Sequence, residues 1–219
     1  MTASEILERI QNTRPLDFGT IFNQSIDLFK KVWVQGLITV LLNMVLAIPL
    51  IMIIYIPLMF RGGLDAVTYS STNGSDYGAY GEPQFSPIAI IVMLIVYVIV
   101  IIAMSTLAVG LRSAFYRICK LKDFDEMGKE DYFYFFKKQY LAKTFKVAIV
   151  AMGIAAIATL LCFLPLIYAI VPLSYVYVVY AFNPDKSLSE IFKLSFEIGN
   201  RKWLLTFGLL LVCGLLAGF

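Results

Sequence analysis

The strongest constraint on this chain is a stretch of 36 residues, 147–182, that contains no charged side chain. Three further apolar stretches cover residues 32–60, 87–111 and 203–219. A helix needs about 20 apolar residues to cross the hydrocarbon core of a bilayer, and in lipid only helices and closed barrels satisfy their backbone hydrogen bonds. Because these stretches are far longer than strands, we predict an all-α fold, a polytopic bundle of transmembrane helices.

The composition supports a membrane protein and excludes much catalytic chemistry. The chain is 60% hydrophobic and 15% charged, whereas soluble domains are roughly 45–50% apolar and about 25% charged. It contains no histidine, so it has no Ser-His-Asp triad, no His-ligated metal and no imidazole base. Its three cysteines lie far apart, without the clustered partners that a metal or redox site needs. We therefore expect no enzymatic activity, no cofactor and no metal.

The positions of the basic residues indicate how the stretch 147–182 crosses the membrane. Four Lys or Arg precede the first span, one (Arg61) lies in a loop at about 61–86, nine lie between residues 112 and 146, and four follow residue 182. Because Lys and Arg concentrate in cytoplasmic segments, the stretch should cross twice, as a hairpin that turns near Cys162 to Pro165. The alternative is a single long span, which would place Arg201 and Lys202 outside.

The resulting topology is a single multi-pass domain over residues 1–219 with about five spans. We expect its N-terminus to be cytoplasmic and the loop at about 61–86 to be extracytoplasmic. Because the span count is odd and the C-terminal run is apolar, we expect the natural chain to continue into a sixth helix.

An internal repeat suggests how the cytoplasmic segments are organised. Residues 17–33 can be laid on residues 187–203 without a gap, and Ile21/Ile191, Phe22/Phe192, Ser25/Ser195 and Trp33/Trp203 coincide. Residues 132–140 form a weaker third copy. We predict interfacial amphipathic helices on the cytoplasmic surface at about 17–31, 125–146 and 187–202. The expected N-terminal caps are Asp17 in the first and a capping box of Ser187 with Glu190 in the last. The alternative is that any amphipathic helix next to a span produces such a match.

The basic and aromatic residues of these segments are the predicted membrane-interface anchors: Lys30, Lys31, Trp33, Lys137, Lys138, Arg201, Lys202 and Trp203. With the aromatic cluster at residues 132–136 they suit the anionic lipids of the cytoplasmic leaflet. Nucleic acid is a poor alternative, because five acidic residues lie in the same linker. Membrane-protein partners and a homo-oligomer remain open.

The cores of the predicted spans contain no charged residue, which disfavours proton-coupled or ion-pair-gated transport. They do contain uncharged polar residues, of which we single out Gln35, Asn43, Thr159, Ser174 and Tyr177. Such side chains most often form hydrogen bonds between helices. The alternative is that they line a substrate path, with the spans broken at Pro49, Pro57, Pro165 and Pro172 as in many transporters.

Two segments carry a resemblance to a known family. The residues RPLDFGTIFNQSIDLFKKVW at 14–33 and LPLIYAIVPLSYVYVVYAFNPDKSLSEIFKLSFEIGNRKWLLTFGLLL at 164–211 resemble the bacterial glycerophosphoryl diester phosphodiesterase membrane domain. The resemblance implies about six spans in the bacterial cytoplasmic (inner) membrane. It does not imply the phosphodiesterase activity, which belongs to a separate soluble barrel domain whose catalysis needs histidine. We therefore expect a non-enzymatic membrane scaffold or accessory subunit, with a transporter or lipid-handling permease as the alternative.

Overall fold

The computed structural model describes residue 5 and residues 17–72, 87–126, 128–161 and 164–218. Within these residues there are six α-helices, one short 3-10 turn and no strand, so the predicted all-α class is confirmed. The elements are α1 (Phe18–Thr72), α2 (Pro87–Asp123), the 3-10 turn (Tyr134–Phe136), α3 (Lys138–Leu160), α4 (Leu164–Phe182), α5 (Leu188–Arg201) and α6 (Trp203–Gly218).

Helices α1 to α4 are each long and apolar enough to cross a membrane. Helices α5 and α6 reach that length only together, and the chain bends by 86° between them. The described part of the chain thus holds four candidate spans, or five if the bent pair counts as one, in agreement with the prediction of about five.

The charge-free stretch forms two helices that run antiparallel, as the predicted hairpin requires. Thr144, in the second turn of α3, lies 2.9 Å from the hydroxyl of Tyr180, in the last turn of α4. Pro165 is the second residue of α4, a position that tolerates proline because its N–H would have no helical partner. Cys162 lies outside the described residues. The single long helix over 147–182 is therefore wrong.

The chain divides into two compact units, residues 1–40 with 105–219 and residues 41–104. The first unit has a core formed by side chains from α2, the 3-10 turn, α3, α4 and α5; its largest members are Phe135, Tyr180, Ile191 and Leu194. In the second unit Ala47 and Val100 are buried, whereas large apolar side chains such as Met44 and Ile99 are exposed. Exposed apolar side chains on long apolar helices are suited to contact with lipid tails.

The prolines do not break the helices in which they lie. Helix α1 passes through Pro49 and Pro57, and α4 passes through Pro172. Helix α1 also continues to Thr72, so the predicted loop at about 61–86 begins as helix. Residues 73–86 lie outside the described part of the chain.

The three predicted amphipathic segments have different structures. The segment at 17–31 is continuous with its span in α1. The segment at 187–202 forms α5, which the bend at Lys202 separates from α6. Both begin at the predicted caps, since Asp17 accepts a hydrogen bond from the Thr20 amide and Ser187 forms a capping box with Glu190. The third copy is not one helix: it contains the 3-10 turn, and Lys137 is extended.

Candidate functional site

The core of the first unit contains an aromatic cluster formed by Tyr134, Phe135, Tyr140 and Tyr180. Phe135 is fully buried, and its ring centroid lies 4.6 Å from that of Tyr180 and 5.1 Å from that of Tyr134. The 3-10 turn directs this side chain inward, between α3 and α4. The prediction that residues 132–136 face lipid is therefore wrong for Phe135, because burying its ring removes a large apolar surface from water.

Thr144 connects this cluster to the backbone around it. Its Oγ1 atom lies 3.0 Å from the carbonyl oxygens of Phe135 and Tyr140 and 2.9 Å from Tyr180 Oη. A hydroxyl donates one hydrogen bond and accepts others, so Thr144 can donate to a carbonyl while it accepts from Tyr180. The 3-10 turn, α3 and α4 thus meet at one buried hydroxyl.

Three basic residues of α2 pack over aromatic rings. The Arg117 guanidinium lies 3.8 Å from the Tyr134 ring centroid, and Arg112 lies 5.4 Å from that of Tyr177. Further along α2, Lys120 Nζ lies 5.5 Å from the Phe182 centroid. Each such cation–π contact contributes about 0.5–1 kcal/mol when exposed. In the sequence these basic residues indicated only that their segment is cytoplasmic. In the structure they also hold the end of α2 against α4 and the 3-10 turn.

Helix α5 packs antiparallel along α4. A Cβ atom at Gly199 would lie 2.9 Å from the Pro172 Cα, so the two backbones are in close contact there. Near the start of α4, the Tyr168 hydroxyl donates a hydrogen bond to the Asn200 side chain, and Trp203 Nε1 donates to the Tyr168 carbonyl at 3.1 Å. The end of α5 therefore lies beside the start of α4.

This packing separates the predicted anchors into two levels. Lys137 and Lys138 begin α3, near the Tyr180 end of α4, whereas the anchors Arg201, Lys202 and Trp203 lie beside Tyr168. Tyr168 and Tyr180 are 12 residues apart, which is about 18 Å along a helix. A single plane perpendicular to α4 does not contain both sets.

The remaining anchors lie on α1. Trp33 is 54% exposed, and Lys30 forms an ion pair with Asp27 at 3.4 Å. Among the other anchors, Lys137 pairs with Asp131 at 2.6 Å and Arg201 pairs with Glu197 at 3.2 Å. Ion pairs this exposed contribute only about 0–1 kcal/mol, so these side chains remain available for interactions at a membrane surface.

Four of the predicted intramembrane polar residues, Gln35, Thr159, Ser174 and Tyr177, lie in the first unit, and each makes a different contact there. Thr159 and Ser174 donate to carbonyl oxygens of their own helices, those of Ala155 and Val171. Tyr177 lies under Arg112. Asn43 is half-buried in the second unit, and no hydrogen bond is described for its side chain. Thr159 and Ser174 are thus satisfied within their own helices rather than by a neighbouring helix.

Among the described residues, Gln35 makes the one long-range hydrogen bond of this set. Its Nε2 donates to Glu130 at 3.2 Å, and Glu130 also pairs with Lys122 at 2.7 Å. The hydrogen bond from Lys122 is the main cause that lowers the pKa of the Glu130 carboxyl, and Gln35 adds to it. Nearby, burial raises the pKa of Tyr132. Gln35 therefore lies at the level of a charged pair rather than in the centre of a span.

Comparison with known proteins adds no relative: no family model, no curated protein and no solved structure matches this chain. The described residues also contain no group of three or more Cys, Asp or Glu placed to hold a metal ion.

Several contacts had no signal in the sequence. Thr144 lies between Lys143 and Lys146, in the basic segment before the apolar stretch, and only its position opposite Tyr180 makes it a junction. Gly110 is another case, because a Cβ atom there would lie 2.5 Å from the Phe136 ring. The glycine was visible in the sequence, but its partner was not, since that partner follows from the 3-10 turn.

Proposed function

We propose that the chain is a non-enzymatic multi-pass membrane protein of the bacterial cytoplasmic membrane, with its N-terminus in the cytoplasm. Its role is that of a scaffold or accessory subunit. We also propose that it belongs to the glycerophosphoryl diester phosphodiesterase membrane-domain family, on the two segments at 14–33 and 164–211, and we carry over the membrane domain of that family rather than its enzymatic activity.

The observation that carries this proposal is that two of the predicted intramembrane polar side chains bond within their own helices. These are Thr159 and Ser174, whereas the Gln35 amide nitrogen bonds to Glu130 in the linker that follows α2. A permease needs polar groups that converge on a substrate, usually near the middle of the membrane. The helices that would have to break around such a site remain continuous through Pro49, Pro57 and Pro172.

A second observation supports a role in binding other membrane components. Large apolar side chains stay exposed on the described helices, including Phe29 at 66% and Leu204 at 80%. In a bilayer these side chains contact lipid tails or the helices of another protein. A scaffold uses such surfaces directly, whereas a soluble enzyme buries them.

The test combines photocrosslinking with a flux measurement. A small photoreactive phenylalanine analogue replaces Phe29 in cells, and the same analogue at the buried Phe135 is the control. The proposal expects a discrete protein adduct from position 29, none from position 135, and no solute or lipid flux in liposomes that contain the purified chain. A reproducible flux, abolished by Tyr177→Phe or Asn43→Ala, would instead establish the permease.

A further inference from the structure

A groove of about 480 Å³ lies between the first turns of α1 and the end of α2. Its walls carry three charged side chains, Asp27, Lys31 and Asp123, together with the Gln24 amide and the apolar side chains of Ile21 and Leu28. Its volume falls within the range of about 300–1,000 Å³ that is usual for small-molecule sites. The function proposed above makes no use of this groove.

The charges in the groove are largely unengaged. No ion pair holds Lys31 or Asp123 within residues 17–72, 87–126, 128–161 and 164–218. Asp27 pairs with Lys30 at 3.4 Å, but both side chains are at least 70% exposed, so solvent weakens this pair. Two carboxylates and one ammonium group are therefore available to a ligand that carries charges of both signs.

The groove lies at the height where lipid headgroups are expected. Tryptophan is enriched at membrane interfaces, and Lys31 and Asp27 precede the exposed Trp33 by two and six residues. These offsets correspond to about 3 and 9 Å along α1. The headgroup layer on each side of a bilayer is roughly 5–8 Å thick.

We propose that this groove binds the headgroup of a zwitterionic phospholipid that carries a primary ammonium. The ammonium binds Asp123 and Asp27, and the phosphate binds Lys31. This inference rests on the proposed insertion in a membrane with the start of α1 at the interface. Anionic headgroups without an amine are disfavoured by the two carboxylates, and a quaternary ammonium lacks the N–H groups that make charge-assisted hydrogen bonds. The groove thus gives Lys31, one of the predicted anchors, a lipid different from the anionic lipids that the other basic anchors attract.

The experiment measures lipid retention by native mass spectrometry. The purified full chain in mild detergent is incubated with equal amounts of phosphatidylethanolamine, phosphatidylcholine and phosphatidylglycerol. We expect phosphatidylethanolamine to be retained preferentially, and Asp123→Asn or Lys31→Gln to lower its retention by about tenfold, as expected for one hydrogen bond to a charged group.

Matched controls separate the groove from general charge effects. Asp125→Asn and Lys129→Gln change the same charges nearby but outside the groove, and asparagine tolerates the positive φ of 49° at residue 125. Circular dichroism checks that every variant keeps its helical content, and variants that lose it are replaced by Asp27→Asn.

Three outcomes overturn the proposal: stronger retention of phosphatidylglycerol, equal losses in the groove and control variants, or equally strong binding of water-soluble phosphoethanolamine. The last would mean that the groove binds a free metabolite rather than a lipid. Flux in liposomes would contradict the proposed scaffold function but not the headgroup site. Loss of lipid selectivity would contradict the headgroup site but not the scaffold function.

Discussion

The hydroxyls of Thr144 and Tyr180 lie 2.9 Å apart and join the second turn of α3 to the last turn of α4. Both side chains are fully buried. Because Thr144 Oγ1 also reaches the carbonyl oxygens of Phe135 and Tyr140, this one contact fixes the antiparallel hairpin and the 3-10 turn that packs against it.

Replacement of Thr144 by valine should destabilise the first unit by about 1–3 kcal/mol. Valine keeps the shape of threonine but removes the hydroxyl, so the buried Tyr180 hydroxyl loses its best partner. The loss is measured as a lower thermal midpoint in detergent. Thr159→Val is the control on the same helix, because its hydroxyl is exposed and bonds only to Ala155. Equal effects of the two substitutions would contradict the role given to Thr144.

Replacement of Gly199 by alanine should separate α5 from α4. The added Cβ atom would lie 2.9 Å from the Pro172 Cα and 3.1 Å from its nitrogen, and backbone atoms do not move aside like a flexible side chain. We expect a destabilisation of about 1–3 kcal/mol, the usual cost of overpacking. Gly153→Ala is the matched control, because no atom lies within 4 Å of its added Cβ. The control should leave stability unchanged or raise it by up to about 1 kcal/mol, since alanine favours helix more than glycine.

The sequence predicts the helices well, because local signals determine them. The apolar runs predicted the spans, the basic residues around 147–182 predicted the hairpin, and Ser187 with Glu190 predicted a capping box that the structure contains. The position of α5 was not predictable in this way. Its sequence matches residues 17–33, yet it packs along α4 because Gly199 permits close contact with Pro172, a pairing that periodicity does not encode.

The same limit applies to the aromatic linker. Five aromatic residues in a row beside lysines are typical of a membrane surface, and Phe133 is indeed exposed. Phe135 is buried because the 3-10 turn directs it towards Tyr180, across 45 residues of sequence. Long-range pairs of this kind decide which aromatic residues remain available to lipid, and the linear pattern does not distinguish them.

The contact between Lys122 and Glu130 should make stability depend on pH. Because the hydrogen bond from Lys122 lowers the pKa of Glu130 in the folded state, its stabilising effect is complete above the ordinary carboxyl pKa of about 4.3. The effect is lost as the pH falls through the lowered pKa.

Glu130→Gln should therefore be less stable than the wild type near pH 7, and the difference should shrink as the pH falls below about 4.3. Thermal midpoints of both proteins from pH 3 to 7 test this; a pH-independent difference would contradict it. Salt should reduce the difference, because the pair is partly exposed.

The two levels of basic residues predict different accessibility from the cytoplasm. Lys138 begins α3 near the Tyr180 end of α4, whereas Lys202 lies beside Trp203, which bonds to Tyr168 about 18 Å away along α4. In a background without Cys119, Cys162 and Cys213, we expect Lys138→Cys to react readily with a membrane-impermeant maleimide added on the cytoplasmic side. Lys202→Cys should react at least about tenfold more slowly, because a thiol at that depth is shielded by lipid and by α4.

Denaturation in detergent should make both sites equally reactive, which shows that the difference comes from the fold. Equal rates in intact membranes would mean that both lysines lie at one interface, and the antiparallel packing of α5 on α4 would then be wrong.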